Sequence, residues 1–202
     1  INRCMASILK NYDNLLPSEI EEKSLEAREW FKDNLRNIKV NRNKLLVEGT
    51  PIRRPFLGTL VLFNYDAKGY ATLPYWDKYP VVIPIEPRGK GFLGLNLHYL
   101  PPRKRLELLE VFDQLAVDPD MGDDENTRLK LTYDMVKSIS KLKWARPCVK
   151  EYLTTHIKGQ IREIPYDYWD VVAMLPSQKF VDNQGSAFNA NRVYAESLKR
   201  VI

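Results

Sequence analysis

Apolar residues follow two different spacings along the chain, and the change between them divides the sequence into regions. From 18 to 38, apolar residues recur every three or four positions while charged residues occupy the positions between them. This spacing is typical of an amphipathic helix. Ser18 and Glu21 match a capping box, in which each side chain accepts the other residue's backbone N–H. The pattern therefore predicts an N-terminal helical extension over residues 1–43.

The next region has the character of strands. Short apolar runs rich in β-favouring residues are separated by turns that contain proline or glycine. These runs lie at 44–48, 59–65, 81–85 and 92–99. Pro80 and Pro84 restrict the third run to an edge or an irregular position. Several short strands in close succession predict a small, strongly curved antiparallel sheet or SH3-like barrel over about 44–100.

Helical and extended segments alternate in the rest of the chain. Pro101 and Pro102 suit the first turn of a helix, where the backbone N–H groups lack partners anyway. Further helices are predicted over 127–140, 148–157 and 193–201, and a strand over 160–164. The fold class is α+β, with the curved sheet packed against the N-terminal helix and C-terminal helices. The predicted domains are the extension over 1–43, a core over 44–182, and an extended C-terminal tail and helix over 183–202.

Composition is that of a protein with one core. The chain has 202 residues, of which 44% are hydrophobic, so it is long enough to bury one substantial core. Cys4 and Cys148 are too few for a disulfide framework and are not spaced as a metal pair. No apolar run approaches the roughly 18 residues that a membrane helix requires. We therefore expect a soluble protein in a reducing compartment, without membrane contact.

Charge is unevenly distributed, although the net charge of +5 is modest. The segments 88–105 and 136–150 carry lysine and arginine but no carboxylate, and the stretch 113–125 between them is acidic. Such a pattern favours a polarised surface, although solvated helix faces would give similar runs. The residues predicted to bind DNA phosphates are Arg88, Lys90, Arg103, Lys104, Arg105, Lys141, Lys143 and Arg146.

Aromatic residues are interleaved with the first of these basic segments. The rings belong to Tyr75, Trp76, Tyr79, Phe92, His98 and Tyr99. Cations that neutralise phosphates and rings that stack on bases are what a groove for nucleic acid requires. The alternative is that most of the rings fill the core of the small sheet. We expect Phe92, Leu95 and Leu97 to be core residues and the cations, rather than the rings, to contact DNA.

Catalytic patterns are missing from the sequence. The two histidines, His98 and His156, lack a recognisable nucleophile pattern, and we expect both to be structural or surface residues. The acidic stretch does not have calcium-loop or nuclease spacing, and no phosphate-binding glycine loop occurs. The sequence predicts no catalytic residue, no metal and no cofactor, and therefore a protein that acts by binding.

Three strings carry a resemblance to a known family. LVLFNYDAKGYATLPYWDKYPVVIPIEP, GFLGLNLHYLPPRKR and IKGQIREIPYDYWDVVAMLPSQKF resemble DNA end protector proteins of T-even-type contractile-tailed phages, over roughly residues 55 to 182. The resemblance implies a virion protein at the termini of packaged double-stranded DNA. Such a protein completes the head and shields the ends from host exonuclease. It implies no enzyme activity, and a location in the virion or, during assembly, in the host cytoplasm.

Two other functions remain open at this point. A neck, tail or baseplate subunit that contacts only other virion proteins would use the first helix and the C-terminal tail for docking. A phage nuclease would require metal-dependent cleavage, for which the sequence offers little. Both as an end protector and as a neck, tail or baseplate subunit, the protein is expected to contact portal, neck or tail proteins of a multi-subunit particle.

Overall fold

The computed structural model describes residues 50–101, 104, 105, 108, 125–165, 169 and 178–199. The predicted helix over 18–38 and the predicted strand over 44–48 lie outside these residues. Within them the protein is α+β, with a mostly antiparallel sheet and two α-helices. The predicted α+β class is confirmed.

Eight strands and two α-helices make up the described part. The strands are β1 (Thr50–Ile52), β2 (Leu60–Tyr65), β3 (Trp76–Asp77), β4 (Val81–Arg88), β5 (Gly91–Asn96), β6 (Val149–Leu153), β7 (Ile157–Ile164) and β8 (Phe180–Val181). The helices are α1 (Glu125–Ile139) and α2 (Ala190–Lys199). Six strands form one sheet in the order β1-β7-β2-β4-β5-β6, and β3 pairs separately with β8.

Strand β2 is buried on both faces, and this explains its nearly continuous apolar sequence. Leu60 and Leu62 belong to a large cluster that includes residues of both α-helices. Val61 and Phe63 alternate with them and belong to a second cluster on the opposite face of the strand. Because side chains alternate between the two faces of a strand, a strand covered on both sides loses the apolar–polar alternation of a half-exposed one.

The large sheet is strongly curved. Tyr65 on β2 and Tyr152 on β6 have ring centroids 5.0 Å apart. In addition, the Leu153 N–H donates to the Tyr65 hydroxyl at 3.2 Å. Three strand spacings separate β2 from β6, and in a flat sheet they would hold the strands roughly 14 Å apart. The expected curved antiparallel sheet is therefore present, but two of its strands, β6 and β7, lie beyond the predicted range of about 44–100. Its assignment as an SH3-like barrel stays a prediction.

Two glycines allow β5 to lie tightly between its neighbours. A Cβ atom on Gly91 would meet the backbone carbonyl of Tyr152 on β6, and one on Gly94 would meet the Val82 side chain on β4. Backbone atoms cannot move aside as the end of a flexible side chain can. The position of β5 between β4 and β6 therefore depends on the absence of a side chain at Gly91.

The predicted helix over 148–157 is wrong. The segment contains a 3-10 helix, Arg146–Cys148, followed by β6 and a second 3-10 helix, Thr154–His156. Strand β6 pairs with β5 over five residues, and Tyr152 enters the second core cluster. Pairing along β5 thus outweighs a local sequence that also suits a helix, as tertiary context commonly does.

The strand predicted over 92–99 ends earlier than expected. Strand β5 stops at Asn96, and residues Leu97–Tyr99 form a 3-10 helix. The Asn96 side-chain oxygen accepts the His98 backbone N–H at 2.9 Å, so the asparagine caps this turn. The three expected core residues Phe92, Leu95 and Leu97 are all buried, which confirms that part of the prediction.

The last described residues pack onto the core. Helix α2 begins after Asn189, whose side-chain oxygen accepts the backbone N–H groups of Asn191 and Arg192. The predicted helix over 193–201 is thus present in its described part and begins earlier. Val193 and Tyr194 are buried in the larger cluster. The division into a core and a separate C-terminal tail remains a prediction.

Candidate nucleic-acid interface

Arg105 lies inside the protein instead of at its surface. Its side chain is 1% exposed. Its Nε donates to the Leu100 carbonyl at 2.8 Å, and Nη2 donates to the Tyr194 hydroxyl at 2.8 Å and to the His98 carbonyl at 3.3 Å. Desolvation by burial lowers the pKa of the guanidinium, while the nearby Tyr194 and Asp77 oppose that effect. The expectation that Arg105 joins a surface of cations is therefore corrected: it connects elements of the core.

A buried carboxylate lies close to this arginine. Asp77 on β3 is 3% exposed, and its Oδ2 lies 2.7 Å from Nδ1 of His98. The same oxygen accepts the Asn96 side-chain N–H at 3.1 Å, and Asn96 also donates to the Tyr152 hydroxyl at 2.9 Å. Because buried polar groups are stable only when they are hydrogen-bonded, this set fixes β3, β5 and β6 relative to one another. His98 is thus a structural residue of the core, as expected.

Most rings of the aromatic segment also belong to the core. Tyr75, Phe92 and Tyr99 are each less than a tenth exposed, whereas Trp76 and Tyr79 are partly buried. Burial raises the pKa of the Tyr99 hydroxyl well above its ordinary value. The alternative stated for these rings, that they fill the core, therefore holds for most of them. They are not a stacking surface for bases.

The β4–β5 hairpin carries two of the predicted phosphate-binding residues. Arg88 is exposed, and its guanidinium lies 3.4 Å from the Glu86 carboxylate on the same strand. Lys90 is exposed at the turn and forms no ion pair with a described residue. Its backbone carbonyl accepts both the N–H and the hydroxyl of Thr154, which ties the hairpin to the turn after β6. The hairpin therefore presents Lys90 on a fixed backbone.

The connection between α1 and β6 presents the other predicted group. Lys141, Lys143 and Arg146 are exposed, and among the described residues none of the three is in an ion pair. The backbone here is a series of turns, in which Leu142 N–H bonds to Ile139 and Ala145 N–H to Leu142. These three cations lie within six positions of one another on an ordered surface segment.

The remaining predicted contacts differ in position. Arg103 lies outside the described residues. Lys104 is partly exposed on the helical segment that also holds Arg105. Lys150, which belongs to the second basic run, lies with its ammonium 4.3 Å from the centre of the Tyr99 ring, a cation–π contact that joins β6 to the core. The described members of the predicted set thus lie on three different segments of the chain: the β4–β5 hairpin, the helical segment with Lys104 and Arg105, and the connection between α1 and β6.

Sequence reasoning missed a third basic position. Arg53 and Arg54 precede an exposed Phe56 in the connection from β1 to β2. The short string Arg-Arg-Pro-Phe carried the signal, but it lies outside the two long carboxylate-free runs that drew the prediction.

Charge balance distinguishes the described part from the rest of the chain. The described residues include 20 lysines and arginines and nine aspartates and glutamates. Their excess of cations is larger than the net +5 of the whole chain. Within the same residues, no cluster of histidine, cysteine or carboxylate side chains is arranged to hold a metal ion. No helix in this part of the chain is both long and apolar enough to cross a membrane.

The fold and its surface define a class: an α+β domain with a curved antiparallel sheet, a core held by buried polar groups, and a surface rich in lysine and arginine. Comparison with known families gives a specific assignment. The chain belongs to the family described as Phage T4 terminal DNA protecting protein, which it matches over residues 4–197. The search of curated proteins found no match, and neither did the search of solved structures.

Proposed function

We propose that the protein binds the ends of linear phage DNA and protects them from exonucleases, and that it does so without catalysing a reaction. The observation that carries this proposal is the family match, which extends over nearly the whole chain. The excess of cations in the described domain supports it, because phosphate charge dominates the affinity of proteins for DNA. The proposed mechanism is electrostatic binding combined with steric exclusion of the exonuclease.

The surface cations without a carboxylate partner are the best candidates for phosphate contacts. Among the predicted residues, those that are exposed and form no ion pair with a described carboxylate are Lys90, Lys141, Lys143 and Arg146. A cation that is already paired with a carboxylate must give up that interaction to bind a phosphate, whereas these four need not. Each phosphate that such a residue neutralises releases condensed counterions, so binding falls as salt rises.

We further propose a location in the virion at the head–neck region, where the packaged DNA terminates. There the protein would contact portal or neck proteins as well as DNA. The family description supports the relation to DNA ends. The contacts with particle proteins are proposed because a protein bound at those ends would lie beside the portal and neck.

The proposal can be tested with a short blunt-ended duplex, a closed circular duplex and a processive duplex exonuclease. We expect the wild-type protein to bind the linear duplex, to slow its digestion, and to bind more weakly as salt rises. Lys141→Glu with Lys143→Glu should lower the affinity and reduce the salt slope by about 1.8, at roughly 0.9 for each phosphate contact.

A matched control separates a specific surface from net charge. Lys179→Glu with Lys199→Glu changes the net charge by the same amount at two exposed residues outside the predicted basic segments. Equal losses in both double variants would show that the 141–146 surface has no special role. If the wild-type protein binds neither linear nor circular duplex, the proposed function is wrong and a purely structural role in the particle is the better account.

A further inference from the structure

The connection between β1 and β2 exposes apolar surface beside two arginines. It spans residues 53–59 and reads Arg-Arg-Pro-Phe-Leu-Gly-Thr. Phe56 is 63% exposed and Leu57 is 37% exposed. Arg53 and Arg54 are exposed as well, and neither forms an ion pair with a described residue. A single exposed apolar residue is ordinary, but an exposed aromatic residue within three positions of two exposed arginines, neither in an ion pair with a described residue, has the chemistry of a nucleic-acid contact.

Hydrogen bonds hold the backbone of this connection in place. The Thr59 hydroxyl donates to the Phe56 carbonyl at 2.9 Å, and the Gly58 N–H donates to the Pro84 carbonyl on β4 at 3.3 Å. Gly58 has a φ of 82°, a conformation that glycine adopts without strain. The ring is therefore attached to an ordered backbone, and binding through it requires little further ordering of the chain.

Topology fixes both ends of the connection. Strands β1 and β2 flank the same partner, β7, and both pair with it in the antiparallel sense. Residues 53–59 must therefore cross β7 from one side to the other. Gly58, near the end of the connection, bonds to Pro84 on β4, the strand that flanks β2 on its other side, so the connection is held at β4 as well as by its two ends.

The base surfaces that a duplex leaves open determine where an aromatic side chain can stack on it. Inside a duplex each base pair is covered on both faces by its neighbours, whereas the terminal pair has one open face. Stacking of an aromatic side chain on a base contributes about 1–3 kcal/mol. An arginine can bind a phosphate through two parallel N–H donors. An apolar protein partner would use Phe56 and Leu57 but would leave the two arginines without a counterpart.

We propose that Phe56 stacks on the open face of the terminal base pair and that Arg53 and Arg54 contact phosphates beside it. This inference rests on the proposed function, since it specifies how the end of the duplex is recognised. Leu57 extends the apolar surface under the same base pair. The proposal explains how binding can distinguish an end from the interior of a duplex, which phosphate contacts alone do not.

The test compares two forms of one short duplex: a blunt-ended form, and a form with each end bridged by a flexible ethylene-glycol linker that covers the terminal pair. Affinity is measured for wild type, Phe56→Ala and Phe56→Trp, together with Tyr70→Ala as a matched control. Tyr70 is 54% exposed and lies elsewhere, between β2 and β3, beside Trp76. A fluorescent base analogue at the terminal or an internal position reports stacking directly.

We expect the wild-type protein to prefer the blunt-ended form and to change the fluorescence of the terminal analogue only. Phe56→Ala should lower the affinity for the blunt end by about 5- to 150-fold, the range that corresponds to the stacking energy, and leave the affinity for the bridged form unchanged. Phe56→Trp should retain the preference, and Tyr70→Ala should behave as wild type. Because Phe56 is mostly exposed, thermal unfolding should show that Phe56→Ala is folded.

The outcomes separate the two proposals. If the wild-type protein binds blunt ends and Phe56→Ala keeps the same preference, the stacking inference is refuted and the proposed function stands. If Tyr70→Ala loses the preference as strongly as Phe56→Ala, the loss is not specific to this connection and the stacking inference is refuted. If wild type does not bind blunt ends at all, the proposed function fails and the inference fails with it.

Discussion

Replacement of Arg105 by alanine should unfold the protein more easily rather than remove a DNA contact. The side chain is 1% exposed and donates hydrogen bonds to Leu100, His98 and Tyr194. Its removal takes the guanidinium donors away from these buried acceptors and removes a positive charge that interacts with Asp77. Breaking a buried, hydrogen-bonded charge in this way destabilises a protein by about 3–5 kcal/mol.

The expected effect is large compared with the total stability. Domains are typically stable by only about 5–15 kcal/mol, so the loss is a substantial fraction. For a chain of this size it corresponds to a fall in Tm of roughly 6–20 °C. Thermal unfolding and urea titration measure it directly. Arg105→Lys should recover little of the loss, because an ammonium cannot reproduce the donor geometry of the guanidinium.

Lys104 provides the control, since it is the adjacent residue and is partly exposed. Lys104→Ala should change the stability by about 1 kcal/mol or less. The reasoning would be refuted if Arg105→Ala kept the Tm of the wild type. If that variant also bound linear duplex more weakly, the guanidinium would have to reach DNA, and the surface role first expected for it would be correct after all.

Two further predictions concern the sheet and alkaline pH. Gly91→Ala should prevent stable folding, because its Cβ would meet the Tyr152 carbonyl. Gly89→Ala is the control and should leave Tm nearly unchanged, because a Cβ there would meet nothing within 4 Å. Similar Tm values for both variants would contradict the close approach of β5 and β6. Burial raises the pKa of Cys148 to about 12 and raises that of Tyr152 well above its ordinary value. The folded state therefore keeps these protons at a pH where the unfolded chain loses them. The free energy of unfolding is unaffected below about pH 9 and decreases above it, by up to about 1.4 kcal/mol per pH unit for each group that the unfolded chain has deprotonated. Urea unfolding across that range checks the slope, and a constant midpoint up to about pH 11 would show that these groups are not protected.

Short apolar runs were sufficient to predict strands β2, β4 and β5, because these strands are largely buried. Phe92, Leu95 and Leu97 were identified as core from the sequence, and each is buried. The segment 148–157 was not predicted correctly, because its strand depends on pairing with β5, more than fifty residues earlier in the chain. A local pattern contains no information about that partner.

The candidate site was harder to predict than the sheet. Arg103, Lys104 and Arg105 are consecutive cations, and nothing in the sequence marks Arg105 as a buried residue. Its acceptors are the carbonyls of Leu100 and His98 and a hydroxyl from α2, which come together only in the folded chain. Conversely, the 63% exposure of Phe56 is a property of the folded chain that a single sequence does not show.

The shared partner of β1 and β2 has a consequence for synthesis of the chain on the ribosome. Pro51 is opposite Arg162 and Leu60 is opposite Ile164, so both pairings wait for residues made about a hundred positions later. Contacts so distant along the chain form slowly, because a long loop must first close. A nascent or prematurely ended polypeptide that stops before β7 lacks the strand with which both β1 and β2 pair, and only the bonds to β4 remain to hold the segment that carries Phe56. In such products β1 has no partner among the described strands, so Arg53 and Arg54 follow an unpaired segment.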